Sequence, residues 1–289
     1  MVADSSATVL AGRPVADAVL ERVATAVSGL QHAPRLVFVR VGNDPASASY
    51  VRSKERAATK TGIDASTVVM PETTAQAELE ELLSGLSADE SVNGILLQLP
   101  LPAGLESAPA IACIHPDKDV DGLHPVNVGR LWNGDSGLFP CTALGLVEIL
   151  RFYGMDPAGR EAVIVGRSQL VGKPAAALFL RGNATVTLAH SRTADLAEVT
   201  RRADIVVAAV GVPGLIRADM VKPGAFVLDV GLTRVDGRIE GDVDPAVGQV
   251  AGGLTPMPGG TGLMTVAMLL VNTLEATRLQ RERRIQAHD

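Results

Sequence analysis

Residues 162–174 decide how this chain folds: Ala162-Val163-Ile164-Val165-Gly166-Arg167-Ser168-Gln169-Leu170-Val171-Gly172-Lys173-Pro174. The first four are apolar, three of them β-branched, and read as a buried strand. A glycine turn follows, then a segment that predicts a helix to about Arg181. Strand, glycine turn and helix together form the setting in which a glycine-rich loop binds a dinucleotide. The first glycine, Gly166, permits the tight turn, and the helix N-terminus offers amides to a pyrophosphate. The spacing is not G-x-G-x-x-G, because Ser168 stands where the second glycine would be. By spacing alone the loop is therefore a weak-to-moderate match. Its surroundings strengthen it: strands are predicted at Thr185–Ala189, Ile205–Val210 and Ala225–Val230, a helix at Asp195–Ala203, and glycines at 211 and 231. Such units wind a doubly wound parallel sheet.

The second strand end bears on the nucleotide. An NAD site places Asp or Glu there, roughly twenty residues past the glycine turn. Here the chain reads His190-Ser191-Arg192-Thr193, with no acid. A carboxylate would repel a 2′-phosphate, whereas Arg192 and the Ser191 hydroxyl suit one. Arg167, beside the turn, can approach the same group. The simpler alternative leaves Arg192 facing solvent. The pattern favours NADP over NAD.

Upstream, Val15, Val19, Val23, Val27 and Leu30 predict a helix over 14–30. Leu36–Val41 reads as a buried strand closed by Gly42. Asp44-Pro45 reads as a helix start, with Asp44 as N-cap and Pro45 at the first helical position, ending near Gly62. A strand around Thr67–Met70, a helix within TTAQAELEELLSGL and a strand over Gly94–Leu99 follow. Alternating elements predict a second parallel sheet covered on both faces, with ligands beyond its carboxyl ends. On the Asp44 helix, Ser47, Tyr50 and Lys54 share one face. A hydroxyl, a phenol and an amine are costly to bury unpaired, so either water or a ligand meets them.

Residues 115–142 read as a connecting region carrying Asp117, Asp119 and Asp121. A calcium loop would want a closing glutamate, which is missing; aspartates bracing a loop are the simpler reading. A helix is predicted over Ala143–Tyr153. Thr255–Gly262 (TPMPGGTG) holds too many helix breakers for a regular element and reads as a rigid loop allowing close approach. A last helix begins near Met264, with Val266, Met268, Leu269, Leu270 and Leu274 to bury; it could return the chain to the first domain.

With 289 residues there is room for two domains. The net charge of −6 argues against a general nucleic-acid surface, and the basic tail Arg278–Arg284 reads as the polar end of the last helix. Only two cysteines, Cys113 and Cys141, fit a reducing, cytoplasmic setting, and neither has zinc-ligand spacing, so no metal is expected. The start MVADSSATVLAGRP does not look like a signal peptide, and no apolar run reaches membrane-spanning length. A Tyr-x-x-x-Lys helix is also used by short-chain dehydrogenases, but those bind the nucleotide before that helix. Here the glycine turn follows Lys54 by more than a hundred residues.

Taken in order, VGNDPASASYVRSK, GILLQLPLP, HPDKDVDGLHPVNVGRL, VGRSQLVGKP, HSRT, VKPGAFVLDVG, GDVD and TPMPGGTGLMTVAMLL resemble the bifunctional methylenetetrahydrofolate dehydrogenase/methenyltetrahydrofolate cyclohydrolase family along nearly the whole chain. The resemblance implies an α/β fold of two domains. An N-terminal parallel-sheet catalytic domain (1–140 plus 265–289) would be joined to a Rossmann-type NADP-binding domain (141–264). The last helix would return to the first domain, the molecule would be a homodimer, and tetrahydrofolate derivatives would bind in the cleft between domains. By position, Lys54 matches the catalytic lysine, Gln98 the glutamine that pairs with it, and Asp121 the aspartate that anchors the pterin. Tyr50 matches the tyrosine packing on the folate, and Ser47 a serine near the site. Gly259 and Gly260 match a loop flanking the folate; Gly166, Arg167, Ser168, Ser191 and Leu232 match cofactor-contacting positions. The implied chemistry is NADP-dependent oxidation of a methylene group to an amidinium, then hydrolysis. A free lysine is a poor base at neutral pH, and burial or a cationic substrate would be needed to change that. Loss of the second activity, or a non-catalytic folate or nucleotide sensor, are the competing outcomes. Three positions depart from the family: Thr261 and Leu263 stand where Val and Pro are usual, and Ala143 replaces a common Pro. Thr261 and Leu263 border the folate loop and so bear on folate affinity or the balance of activities.

Overall fold

The run Leu36–Val41 forms the central strand β2 (Arg35–Val41), buried along almost its whole length. A computed structural model describes residues 6–286. Helix α1 (Gly12–Ser28) precedes β2, with Val15, Val19, Val23 and Val27 all buried, as their spacing predicts. Helix α2 (Pro45–Lys60) follows, then β3 (Asp64–Met70), α3 (Gln76–Ala88) and β4 (Gly94–Leu97). β2 pairs in parallel with β3 on one side and β4 on the other. On one face of this three-stranded sheet Val37, Val39 and Val41 pack with Leu79, Leu83 and Ile114. On the other face Leu36 and Phe38 are fully buried. Because β2 is central, the chain leaves it in one direction to β3 and returns past it to β4. The switch point of the sheet therefore lies at the carboxyl ends of β2 and β4.

A short helix, α4 (Ser107–Ala112), precedes the region read as connecting, and that region itself contains a helix, α5 (Pro125–Asn133). The start and stop of α5 were written in the sequence: His124 caps it, Pro125 opens it, and Gly134 closes it at φ 84°. Its nine residues are too few for the periodic signal to stand out against the surrounding Asp, Gly and Pro.

The second sheet has six parallel strands. Helix α6 (Cys141–Phe152) leads into β5 (Glu161–Val165), followed by α7 (Gly172–Arg181), β6 (Thr185–Ala189), α8 (Leu196–Arg201), β7 (Ile205–Ala208) and β8 (Phe226–Asp229). A small antiparallel hairpin, β9 (Thr233–Val235) with β10 (Arg238–Glu240), was not predicted. Two further short strands, β1 (Thr8–Val9) and β11 (Gly253–Leu254), complete the order β1-β11-β8-β7-β5-β6. This is the doubly wound arrangement, with its switch point between β5 and β7. The final helix α9 (Gly262–Gln286) carries buried Met268, Leu269 and Leu270. No helix among the described residues is long and apolar enough to cross a membrane.

The chain divides into two compact units: residues through Asp17 with Thr142–Thr265, and Ala18–Cys141 with Val266–Asp289. The expected boundaries, 1–140 plus 265–289 and 141–264, differ from this at the N-terminus. β1 pairs with β11, Thr8 opposite Gly253, so the first residues group with the six-stranded sheet. A two-residue strand has no periodicity to read.

Phe38 sits at the middle of β2, opposite Thr67 and Leu96, and is fully buried. Truncating such a ring costs ~3–5 kcal/mol through lost burial and the cavity left behind. Phe38→Ala should destabilise the unit holding β2 by that amount in urea unfolding. A loss under ~1 kcal/mol would show that the sheet does not depend on this face.

Candidate active site

Asp44 and Pro45 start α2 as its sequence dictates: the Asp44 carboxylate accepts from the Ser47 amide at 2.7 Å, which holds that carboxyl below its usual range. The cap fixes the first turn, and with it the row of Ser47, Tyr50 and Lys54. Within that row Ser47 is buried, Lys54 half-buried, and Tyr50 57% exposed. Lys54 Nζ donates to Gln98 Oε1 at 3.0 Å. The Gln98 amide group in turn donates to the Leu99 carbonyl at 2.6 Å, which turns its oxygen toward Lys54. Gln98 itself follows directly on β4, and its backbone N–H still pairs with the Val39 carbonyl. The lysine and glutamine therefore meet at the switch point of the three-stranded sheet.

The aspartate segment runs beside β4 as a fragment of a fourth strand. Ile95 N donates to the Lys118 carbonyl at 2.7 Å, and Ile95 lies opposite Asp119. The three carboxylates then do different work. Asp117, fully buried, pairs with Arg130 at 2.8 Å and Arg283 at 2.6 Å. Asp119 accepts from the His124 amide at 2.7 Å and the Asn127 amide group at 3.3 Å, bracing the start of α5. Burial pushes its carboxyl up to about 7, assisted by the charge of Asp121. Asp121 is the one near Lys54: burial raises its pKa, and the lysine charge opposes that rise. The Cys141 thiol approaches both the Asp121 carboxylate and, at 3.4 Å, the Val120 carbonyl. Burial, followed by the charge of Asp121, holds this thiol well above its usual range.

One positioning residue escaped the sequence reading. Asn272, on α9, donates to the Val120 and Phe139 carbonyls, both at 2.8 Å, and so ties the aspartate segment to the stretch before Cys141. The signal available was a lone Asn among apolar residues in a helix that must be buried. The tail arginines also do more than end the helix in polar residues, since Arg283 neutralises buried Asp117.

At the other switch point, Gly166 has φ 129° and a Cβ there would lie 2.3 Å from the Ala209 carbonyl. A Cβ on Gly172 would lie 2.1 Å from the Gly166 carbonyl. These two glycines let the loop close on itself. Ser168 accepts from the Val171 and Gly172 amides at 3.1 and 3.3 Å, so a hydroxyl holds the turn where the usual pattern has glycine. After β6, His190 Nδ1 accepts from the Arg192 amide, and the Thr193 hydroxyl from the His190 amide, leaving Ser191 and Arg192 exposed. Arg167 and Leu232 are exposed as well. A tight glycine turn with serine and arginine, and no carboxylate, at the second strand end fits NADP.

In the 255–262 loop the Gly259 carbonyl accepts from the Gly12 amide at 2.9 Å. A Cβ on Gly12 would lie 2.0 Å from the Gly260 carbonyl, so this close approach needs glycine. Thr261 is buried and donates to the Asp229 carbonyl at 2.9 Å. Its hydroxyl thus has a structural partner that valine could not serve.

Two family models cover most of the chain: the catalytic domain of tetrahydrofolate dehydrogenase/cyclohydrolase matches residues 10–121, and its NAD(P)-binding domain matches residues 140–281. The chain belongs to this family. A bifunctional protein FolD of Thermus thermophilus is 54% identical over 276 residues, spanning 96% of this chain and 98% of its own. The Exiguobacterium sibiricum FolD is 49% identical, spanning 94% and 100%. The solved FolD enzyme of Campylobacter jejuni superposes with a TM-score of 0.92 at 41% identity, covering 96% and 99% of the two chains. The Trypanosoma brucei FolD, solved with NADP and an inhibitor, gives 0.88 at 39% identity, covering 94% and 97%.

The raised carboxyl of Asp119 has a consequence for stability. Between its ordinary 3.8 and about 7 the folded protein holds a proton that the unfolded chain has released. Stability therefore falls as pH rises through that window. Asp229, raised to about 6 mainly by burial, adds a slope of the same sign. Asp119→Asn should flatten the fall in urea midpoint between about pH 5 and 7.5 without abolishing it. An unchanged slope would show that Asp119 ionises freely in the folded protein.

Proposed function

We infer that this chain oxidises 5,10-methylenetetrahydrofolate with NADP to the methenyl form and then hydrolyses that product to 10-formyltetrahydrofolate, a bifunctional role in one-carbon metabolism. The observation that carries the reading is the Lys54–Gln98 hydrogen bond at a sheet switch point, with Asp121 near the lysine, in a chain of this family.

The first reaction removes a hydrogen with its electron pair from a carbon held between two nitrogens. The cation left behind is a delocalised amidinium, and no proton has to leave, so this step needs positioning more than acid or base. Bound NADP supplies the two-electron acceptor. On this chain Gly166, Arg167, Ser168, Ser191, Arg192 and Leu232 are the residues proposed to hold it. Arg192 and Ser191 would meet the 2′-phosphate.

The second reaction adds water to the amidinium carbon, and here a proton must move. Lys54, driven to its free-amine form by the cationic substrate beside it, takes that proton from the attacking water, while Gln98 keeps the amine in place through its 3.0 Å contact. The carbinol hydroxyl then gives up its remaining proton as the formyl C=O forms, and the C–N bond to one ring nitrogen breaks with its electron pair leaving on nitrogen, which takes up a proton; one proton is released overall. Asp121 offers two carboxylate oxygens to the aminopyrimidine edge. Tyr50, exposed on α2, presents a ring for the folate to pack on, beside Ser47. Gly259 and Gly260 are proposed to flank the folate. The homodimer is proposed from the family resemblance. A cytoplasmic setting is supported by Cys113 and Cys141, both free thiols.

Lys54→Met keeps much of the length of the side chain and removes the amine. Cyclohydrolase activity should drop ~100-fold or more, in the range typical of a lost general base, with the protein still folded by circular dichroism. Full cyclohydrolase activity in the variant would remove Lys54 from proton transfer.

A further inference from the structure

Two carboxylates in the six-stranded unit take no part in the chemistry above. Asp242 is completely buried, and Asp229 nearly so. Asp242 accepts three consecutive backbone amides: Val210 at 2.6 Å and Gly211 at 3.0 Å on Oδ2, and Val212 at 2.7 Å on Oδ1. Asp229 accepts the Gly231 and Asp242 amides on Oδ1, both at 2.9 Å, and the Val243 amide on Oδ2 at 3.1 Å. Neither glycine beside them can be replaced: a Cβ on Gly231 would lie 2.3 Å from the Asp242 carboxylate, and one on Gly241 1.9 Å from that of Asp229.

The location is what gives this pair a role. Val210–Val212 follows closely on β7, and Gly211 has φ 71°. The preceding residue, Ala209, is the one whose carbonyl crowds Gly166. The segment thus borders the glycine turn at the β5/β7 switch point, where a nucleotide binds in such sheets. With all three amides turned inward to Asp242, Val210, Val212 and Leu232 stay partly exposed, at 36%, 48% and 55%. An anion buried this deeply is costly unless fully bonded. Three amides bonded to one side chain fix a loop more tightly than turn chemistry alone.

We propose that Asp242, braced by Asp229, is a positioning residue for NADP: it sets the backbone of Val210–Val212 and so the wall against which the nucleotide lies. This rests on the functional reading above and extends it to residues with no place in the reaction itself. Thr261 belongs to the same brace, since its hydroxyl bonds the Asp229 carbonyl, and Thr255 accepts the Asp229 amide at 2.7 Å.

The test is Asp242→Asn, which keeps the shape but turns one acceptor into a donor facing amide donors. By isothermal titration of the purified chain with NADP, the dissociation constant should rise ~10-fold or more, as expected for loss of bonds to a charged acceptor. The KM for NADP in methylenetetrahydrofolate oxidation should rise with it. That loss should exceed any change in nucleotide-free hydrolysis of methenyltetrahydrofolate by ~10-fold. Equal losses in both activities, or unchanged NADP affinity in a folded variant, would overturn the positioning role. If Asp242→Asn does not fold, Asp229→Asn supplies the test: a weaker NADP affinity supports the brace, and an unchanged one overturns it. Wild-type protein that binds NADP but turns over neither substrate would instead overturn the functional reading.

Discussion

Parallel pairing is the constraint on which both units depend. Parallel strands all end on the same edge, so the side chains just beyond them are brought together whatever their distance in sequence. β2 is held between β3 and β4, and that register puts Gly42-Asn43-Asp44 and Gln98 at one edge. The Asp44 cap then aims α2, and Lys54 reaches Gln98, 44 residues further along the chain. In the six-stranded sheet the same rule sets Gly166 beside Ala209 and the loop that follows it. The two edges thus belong to two sheets built to one plan.

Buried carboxylates do much of the work of fixing these edges. Asp117 is neutralised by two arginines from different helices, Arg130 and Arg283. Only the loss of both arginines would leave that buried charge uncompensated, at a cost of ~3–5 kcal/mol. Asp119 accepts from amides and has no cation bonded to it, and so stays close to protonation at neutral pH. Asp121 is left with a lysine charge and a thiol. One short sequence run of three aspartates therefore yields a strut, a brace and a candidate binding group.

Much of this was legible before the structure. Asp44-Pro45, the β-branched runs and the glycine turns located the strands and helices that carry Lys54, Gln98 and Gly166, because each signal is local. What escaped depended on contacts distant in sequence. Nothing near Asn272 says that it bonds Val120 and Phe139, more than a hundred residues earlier. Arg283 reads as a solvated charge until Asp117 is seen beneath it. β1 and β11 are too short to carry a pattern, and α5 was hidden although its proline, cap and glycine were all present. Asp229 and Asp242 look like ordinary polar residues after strands; their role lies in amides supplied by separate segments.

The most direct measurement supplies the purified wild-type chain with 5,10-methylenetetrahydrofolate and NADP. It follows the reduced nucleotide and the methenyl chromophore together. Reduced nucleotide should accumulate faster than the methenyl form, because the same chain hydrolyses that product. Methenyltetrahydrofolate added alone should decay faster with the protein than without it. Methenyl product accumulating one for one with reduced nucleotide, and decaying no faster with protein present, would contradict the bifunctional role.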